Sequence, residues 1–192
     1  ILQSAATLFL EKGYLKVPMR EIAHKSGVGL SNIYNYFSCK DDIFVQIVAP
    51  AVRTFENMLD EHHGRRGTDI MSMCDRDYFK HMVDEYTSFI HRHRDLLLLL
   101  LFRSQGSSLE NYKEEFARKS TVLVKEYFTL MKHKHPQLET DISDFSIRMH
   151  TVWMFALFEE LLMRRVKPDE IEKVVTEYMT IEVAGWRELM KI

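Results

Sequence analysis

At 192 residues the chain is long enough for one sizeable core, or for a small module joined to a larger body. Seven glycines and four prolines leave few breakers, which points to a mostly helical class. Two cysteines, Cys39 and Cys74, are too few for a disulfide framework and favour a reducing, cytoplasmic setting. A net charge of −2 excludes a surface coated throughout for nucleic acid, and the longest apolar run, Leu96 to Phe102, falls far short of the roughly 20 residues a membrane span needs. Residues 1–50 hold five basic groups (Lys12, Lys16, Arg20, Lys25, Lys40) against four acidic ones (Glu11, Glu21, Asp41, Asp42), which leaves +1 there and −3 for the remainder. That asymmetry has the sign expected of a DNA-binding end.

Ile1 opens directly on helical periodicity, with no signal peptide visible. Leu2, Ala5, Ala6, Leu8 and Phe9 recur at helical spacing, and Gly13 follows as a stop. A second helix fits Met19 to Lys25, opened by Pro18, and Gly27 supplies a turn. A third runs from Leu30 to about Tyr36. Its Ile33 and Phe37 face inward, which leaves Ser31, Asn32, Tyr34 and Asn35 outside. Ser38 and Asp41 form a capping-box pattern for a long helix to His62, which ends at the loop "HHGRRG". Further helices are predicted over Asp77–Arg92, Asp95–Ser104, Ser107–Lys134 (capped by Ser107 with Glu110), Asp141–Arg165 and Pro168–Lys191, about nine in all.

Three short helices, the last two joined by a glycine corner, make a helix-turn-helix, in which the second helix of the pair enters the major groove. The residue types suit that task. Tyr34 and Tyr36 carry hydroxyls that can donate to phosphate, and Ser31 and Asn32 can meet base edges. The order of residues in "AATLFLEKGYLKVPMREIAHKSGVGLSNIYNYFSCKDDIF" closely resembles the DNA-binding domain of the TetR family, the tetracycline-repressor-like regulators. The matching pieces are Ala6, Leu8-Phe9, Gly13-Tyr14, Ile22-Ala23, Gly27-Val28, Ile33-Tyr34, Tyr36-Phe37 and Lys40. The resemblance covers about the first 45 residues.

It implies a recognition surface of Leu30, Ser31, Asn32 and Tyr34, phosphate contacts from Tyr36 and Lys40, and a base contact from Arg20 on the preceding helix. It also implies a double-stranded DNA operator as partner and a body, residues 46–192, that encloses a small-molecule effector. Two departures stand out. Pro18 replaces a hydroxyl residue that often opens the second helix, and Gly29 stands where a serine often caps the third.

The last two helices carry apolar residues on more than one face, so they need cover on two sides. A twin subunit over Trp153, Phe158, Leu161, Val174, Tyr178, Ile181 and Trp186 would provide it, forming an isologous four-helix interface. Tyr86, Phe89, His93, Phe102, Tyr127, Met131, His150 and Trp153 are the expected pocket residues, apolar walls with a few polar groups. The pairs His62-His63, His91/His93 and His133/His135 lie on different elements and are expected at solvated helix ends, with no metal or cofactor site.

No phosphate-loop, dinucleotide, zinc-protease or nucleophile-elbow signature occurs, so nothing in the sequence argues for an enzyme. The expected fold is all-α: a helix-turn-helix domain over residues 1–45 and a helical effector-binding and dimerisation domain over 46–192, joined by the helix from Asp41 to His62. The expected function is a homodimeric transcriptional regulator, a repressor released from a palindromic operator by a small-molecule effector, with no membrane partner. The alternatives are a ligand-independent DNA-organising protein and a helical enzyme with a borrowed helix-turn-helix.

Overall fold

The computed structural model describes residues 1–192 apart from the side chain of Cys74, so the expectation for that thiol lies outside the described residues. Among the described residues there are eight α-helices and no strand, and no helix is long and apolar enough to cross a membrane. The helices are α1 (Leu2–Lys12), α2 (Met19–Ser26), α3 (Leu30–Tyr34), α4 (Lys40–His63), α5 (Arg76–Phe102), α6 (Tyr112–Lys134), α7 (Asp144–Met163) and α8 (Pro168–Met190). They form two compact units. Ile1–Thr54 with His93–Tyr112 make the first, and Phe55–Arg92 with Lys113–Ile192 make the second, so α4 and α5 contribute to both.

In the first unit α1 buries Ala5, Leu8 and Phe9, the stripe its spacing dictates. Gly13, at φ 80°, ends it by donating its N–H to the Phe9 carbonyl at 2.8 Å. The rings of Phe9, Tyr14 and Phe44 then meet with centroids 5.2–5.6 Å apart, tilted or edge-on, the arrangement their quadrupoles favour. From the leucine tract, Leu97, Leu99 and Leu100 are buried.

In the second unit Phe55 is the centre. It stacks on Phe116 (4.3 Å) and Phe89 (5.3 Å) and takes the edges of Phe155 and Phe158. The Ser143 hydroxyl caps α7 by accepting the Ser146 N–H at 3.2 Å.

Boundaries differ from expectation in several places: α3 ends at Tyr34 rather than about Tyr36, α7 starts at Asp144 rather than Asp141, and three further differences follow. The break expected at 92–95 is a kink: His93, at φ −113° and ψ 18°, leaves helical geometry while α5 continues to Phe102. No glycine or proline falls between Arg76 and Phe102 to stop it. The capping box shifts by one residue. α4 begins at Lys40, so Asp42, not Asp41, is its third residue and accepts from the N–H groups of Ser38 (2.8 Å) and Cys39 (3.3 Å). Asp41 instead accepts the Ser108 N–H at 2.9 Å. Ser107 accepts from the Leu109 N–H at 3.1 Å within a turn, and α6 starts only at Tyr112.

Candidate nucleic-acid interface and ligand cavity

The corner between α2 and α3 is a Schellman closure. Gly27 sits at φ 67° and ψ 18°, its N–H donates to His24 at 3.3 Å, and the Val28 N–H reaches back to Ala23 at 3.2 Å. Ile33, fully buried, anchors α3 from one side. Around that anchor Ser31, Asn32 and Tyr34 are exposed, Tyr34 at 50%, and Leu30 is half-buried. Tyr36 is 76% exposed. Arg20 is exposed as well, and Glu21, which could have neutralised it, is held by Lys12. Polar groups on a rigid scaffold and unengaged by their own chain are what a duplex contact requires.

Lys40 is different. Its ammonium donates to the Tyr14 carbonyl at 2.8 Å and lies 4.1 Å from the centroid of the Tyr14 ring, and burial pulls its pKa down. One of its three N–H donors is therefore used inside the protein, which leaves two for an outside anion. The hydroxyl and N–H of Ser38, with the N–H of Cys39, hold the neighbouring Asp42 carboxyl below its usual range.

The second unit encloses a cavity of about 140 Å³. Its walls include Phe55, Phe116 and Trp186 and the thioethers of Met58, Met82 and Met154. Two of its lining imidazoles, His62 and His150, are each paired with a carboxylate. Glu85 accepts from His62 Nε2 at 2.6 Å, while His62 Nδ1 bonds the Tyr78 hydroxyl. Glu182, buried, bonds His150 Nδ1, and the Trp186 N–H approaches that same nitrogen at 3.3 Å. His63 is pushed down to about 3 by burial and then by its neighbours His62 and His150, so it is neutral, and its Nδ1 has no partner among the described residues. Burial and the nearby carboxylates raise the hydroxyls of Tyr86 and Tyr178. Tyr86 reaches only the Met154 sulfur at 3.4 Å, and the Tyr178 hydroxyl lies against the Glu182 carboxylate.

Residues 1–47 match the family model of bacterial regulatory proteins, tetR family. That match covers the helix-turn-helix and the start of α4. An uncharacterized HTH-type transcriptional regulator of Haemophilus influenzae is 25% identical over 130 residues, which span 67% of this chain and 59% of that protein's length. Among solved structures, FadR from Bacillus subtilis in complex with stearoyl-CoA shares the fold at a TM-score of 0.62. It is 16% identical, over 93% of this chain and 95% of its own. NalD of Pseudomonas aeruginosa, the secondary repressor of the MexAB-OprM multidrug efflux pump, has a TM-score of 0.59 and 21% identity over 93% and 91%.

Of the eight expected pocket residues, Tyr86, Tyr127 and His150 line the cavity of the second unit. The other five do not. Phe89 is buried against Phe55 and Phe158. His93, bonded to Thr54 at 3.3 Å, and Phe102 belong to the first unit. Met131 packs on the core around Tyr127 and Phe128, and Trp153 lines a surface groove with Phe145, Ile181 and Leu189.

The expected dimer face also divides. Trp153 (55% exposed) and Ile181 (71%) are free to meet a partner, and Val174 is half-buried. Phe158 (0%) and Leu161 (2%) lie in the subunit's own core, where no partner can touch them, and Tyr178 and Trp186 turn to the cavity.

Sequence reading missed His62, His63, Tyr78, Tyr178 and Glu182, and His62-His63 are not the solvated pair expected. One signal was available: Phe55, Met58, Leu59 and His62 share one face of α4, so His62 continues a core stripe.

Proposed function

We propose that the chain is a ligand-responsive, DNA-binding transcriptional regulator, a repressor that leaves a palindromic operator when a small molecule occupies the second unit. Residues 1–45 bind DNA and residues 46–192 sense the effector and pair two subunits. The observation that carries this reading is the outer face of α3: Ser31, Asn32 and Tyr34 stand exposed around a buried Ile33. Tyr36 adds an exposed hydroxyl for phosphate, and Arg20 a free cation from α2. Binding of stearoyl-CoA by one fold relative and repression by another support ligand response and repression as the mode. A cytoplasmic setting follows from such a task.

The mechanism is linkage. An effector that binds one conformation better than another shifts operator affinity by that difference in binding energy and no more. α4 and α5, which supply residues to both units, are the elements through which such a shift would run.

The test is Tyr34→Ala combined with Tyr36→Phe. Affinity for operator fragments selected from genomic DNA should fall by about tenfold or more, the scale of one or two lost contacts, with self-association unchanged. Retention of parental gel shifts by the double variant would remove the assignment.

A further inference from the structure

We infer that the cavity of the second unit takes a small uncharged aromatic molecule bearing one oxygen acceptor, of the size of a phenol or an aryl ketone, and rejects aromatic ions of either sign. This rests on the reading of the second unit as the effector-sensing part.

Size comes first. A cavity of about 140 Å³ is close to the roughly 150 Å³ apolar cavity that accommodates benzene in an engineered protein, so a single ring with a small substituent fills it. The walls select the ring. Phe55, Phe116 and Trp186 offer faces and edges, and Met58, Met82 and Met154 offer polarisable sulfur that adapts to an aromatic guest.

The polar groups select the substituent. The Tyr178 hydroxyl lies against the Glu182 carboxylate, and the Tyr86 hydroxyl has only a thioether, a poor acceptor. Tyr86 is thus an O–H donor in want of an oxygen. His63 Nδ1 is a second unserved group, able to accept from a ligand hydroxyl or to donate to a carbonyl according to its tautomer.

Charge is disfavoured in both directions. An entering carboxylate would be buried beside Glu182, and Arg187, which also borders the cavity, is exposed to water. An entering ammonium would meet a carboxylate already bonded to His150 and would leave the Tyr86 O–H hydrogen unserved. The protein's own groups report the same preference. The interior suppresses protonation of His63 and ionisation of Tyr86 and Tyr178 alike.

The experiment is calorimetric titration of the full chain, without DNA, using acetophenone, phenol, toluene, benzoate and benzylamine. Acetophenone or phenol should bind at least about tenfold more tightly than either ion. Tyr86→Phe should weaken acetophenone by about tenfold while leaving toluene unchanged, because only the polar probe loses a partner. Unchanged toluene binding also shows that the variant's cavity is intact. If Tyr86→Phe does not fold, His63→Asn is read in the same way with phenol. Benzoate or benzylamine binding as tightly as the neutral probes, or polar probes indifferent to both substitutions, overturns the inference. Operator release is measured separately. If acetophenone binds but operator affinity does not move, the regulatory reading falls while the ligand class stands. If an ion binds and releases the operator, the reverse holds.

Discussion

His63 shows at the scale of one residue how a half-buried neutral base ties stability to pH. Its folded-state pKa of about 3 lies well below the ordinary 6.5, because burial and the adjacent His62 and His150 oppose its charge. The unfolded chain therefore binds a proton that the folded chain refuses. Stability from this group is fully present above pH 6.5 and is lost as pH falls from there toward 3. Between pH 8 and pH 5 the loss is about 2 kcal/mol. Asp69, whose carboxyl is held low by Lys134 and His135 against the opposing effect of burial, gives stability that is fully present above its ordinary 3.8 and is lost only as pH falls below it, so it does not confuse that window. Urea unfolding at pH 8 and pH 5 should show His63→Asn losing about 2 kcal/mol less than the parent between the two; equal losses would sink the assignment. The composition of "HHGRRG" argued for a solvated loop, while the spacing from Phe55 argued for burial. The spacing was the physical signal, since a helix face continues until the helix ends.

At the scale of the element, the corner between α2 and α3 carries the most information per residue. A Cβ added at Gly27 would meet nothing within 4 Å, so the cost of a side chain there is conformational alone. Gly27→Ala should destabilise by about 1 kcal/mol and lower the melting temperature by roughly 2–4 °C, and Gly27→Asn, better suited to left-handed backbone, by less. Thermal unfolding of the two variants checks the order, and an alanine variant no less stable than the asparagine variant would contradict it. Glycine at 13 and 27, proline at 18 and apolar spacing made the helix-turn-helix legible, because each acts over a few residues. The kink at His93 was not legible. Nothing local distinguishes a bend from a break when "HRHRDLL" offers both a basic end and an acidic start. The cavity was less legible still. Tyr86, Tyr127 and His150 reach it from three helices, and α8 brings Tyr178 and Glu182 to it, a convergence that exists only after packing.

At the scale of the molecule, the second unit leaves an apolar groove between α7 and α8. Phe145 and Trp153 border it on one helix and Ile181 and Leu189 on the other, all exposed, with Gly185 in the lining. Single exposed apolar residues are ordinary, but four large ones along one groove cost solubility unless something covers them. A second copy presenting the same groove is self-complementary about a twofold axis and would make a four-helix contact. Placing glutamate at both Trp153 and Ile181 would bury four carboxylates in that contact. The helices themselves should be undisturbed, because both side chains already face water in the single chain. The double variant should sediment near 22.8 kDa at every concentration, and the parent should sediment at twice that mass. Operator affinity should then fall by about 10²–10⁴, since each half-site is bound without the effective concentration that a tethered partner supplies. A parent that is itself a single 22.8 kDa species across the same range would remove the pairing, and with it the reason to expect a palindrome.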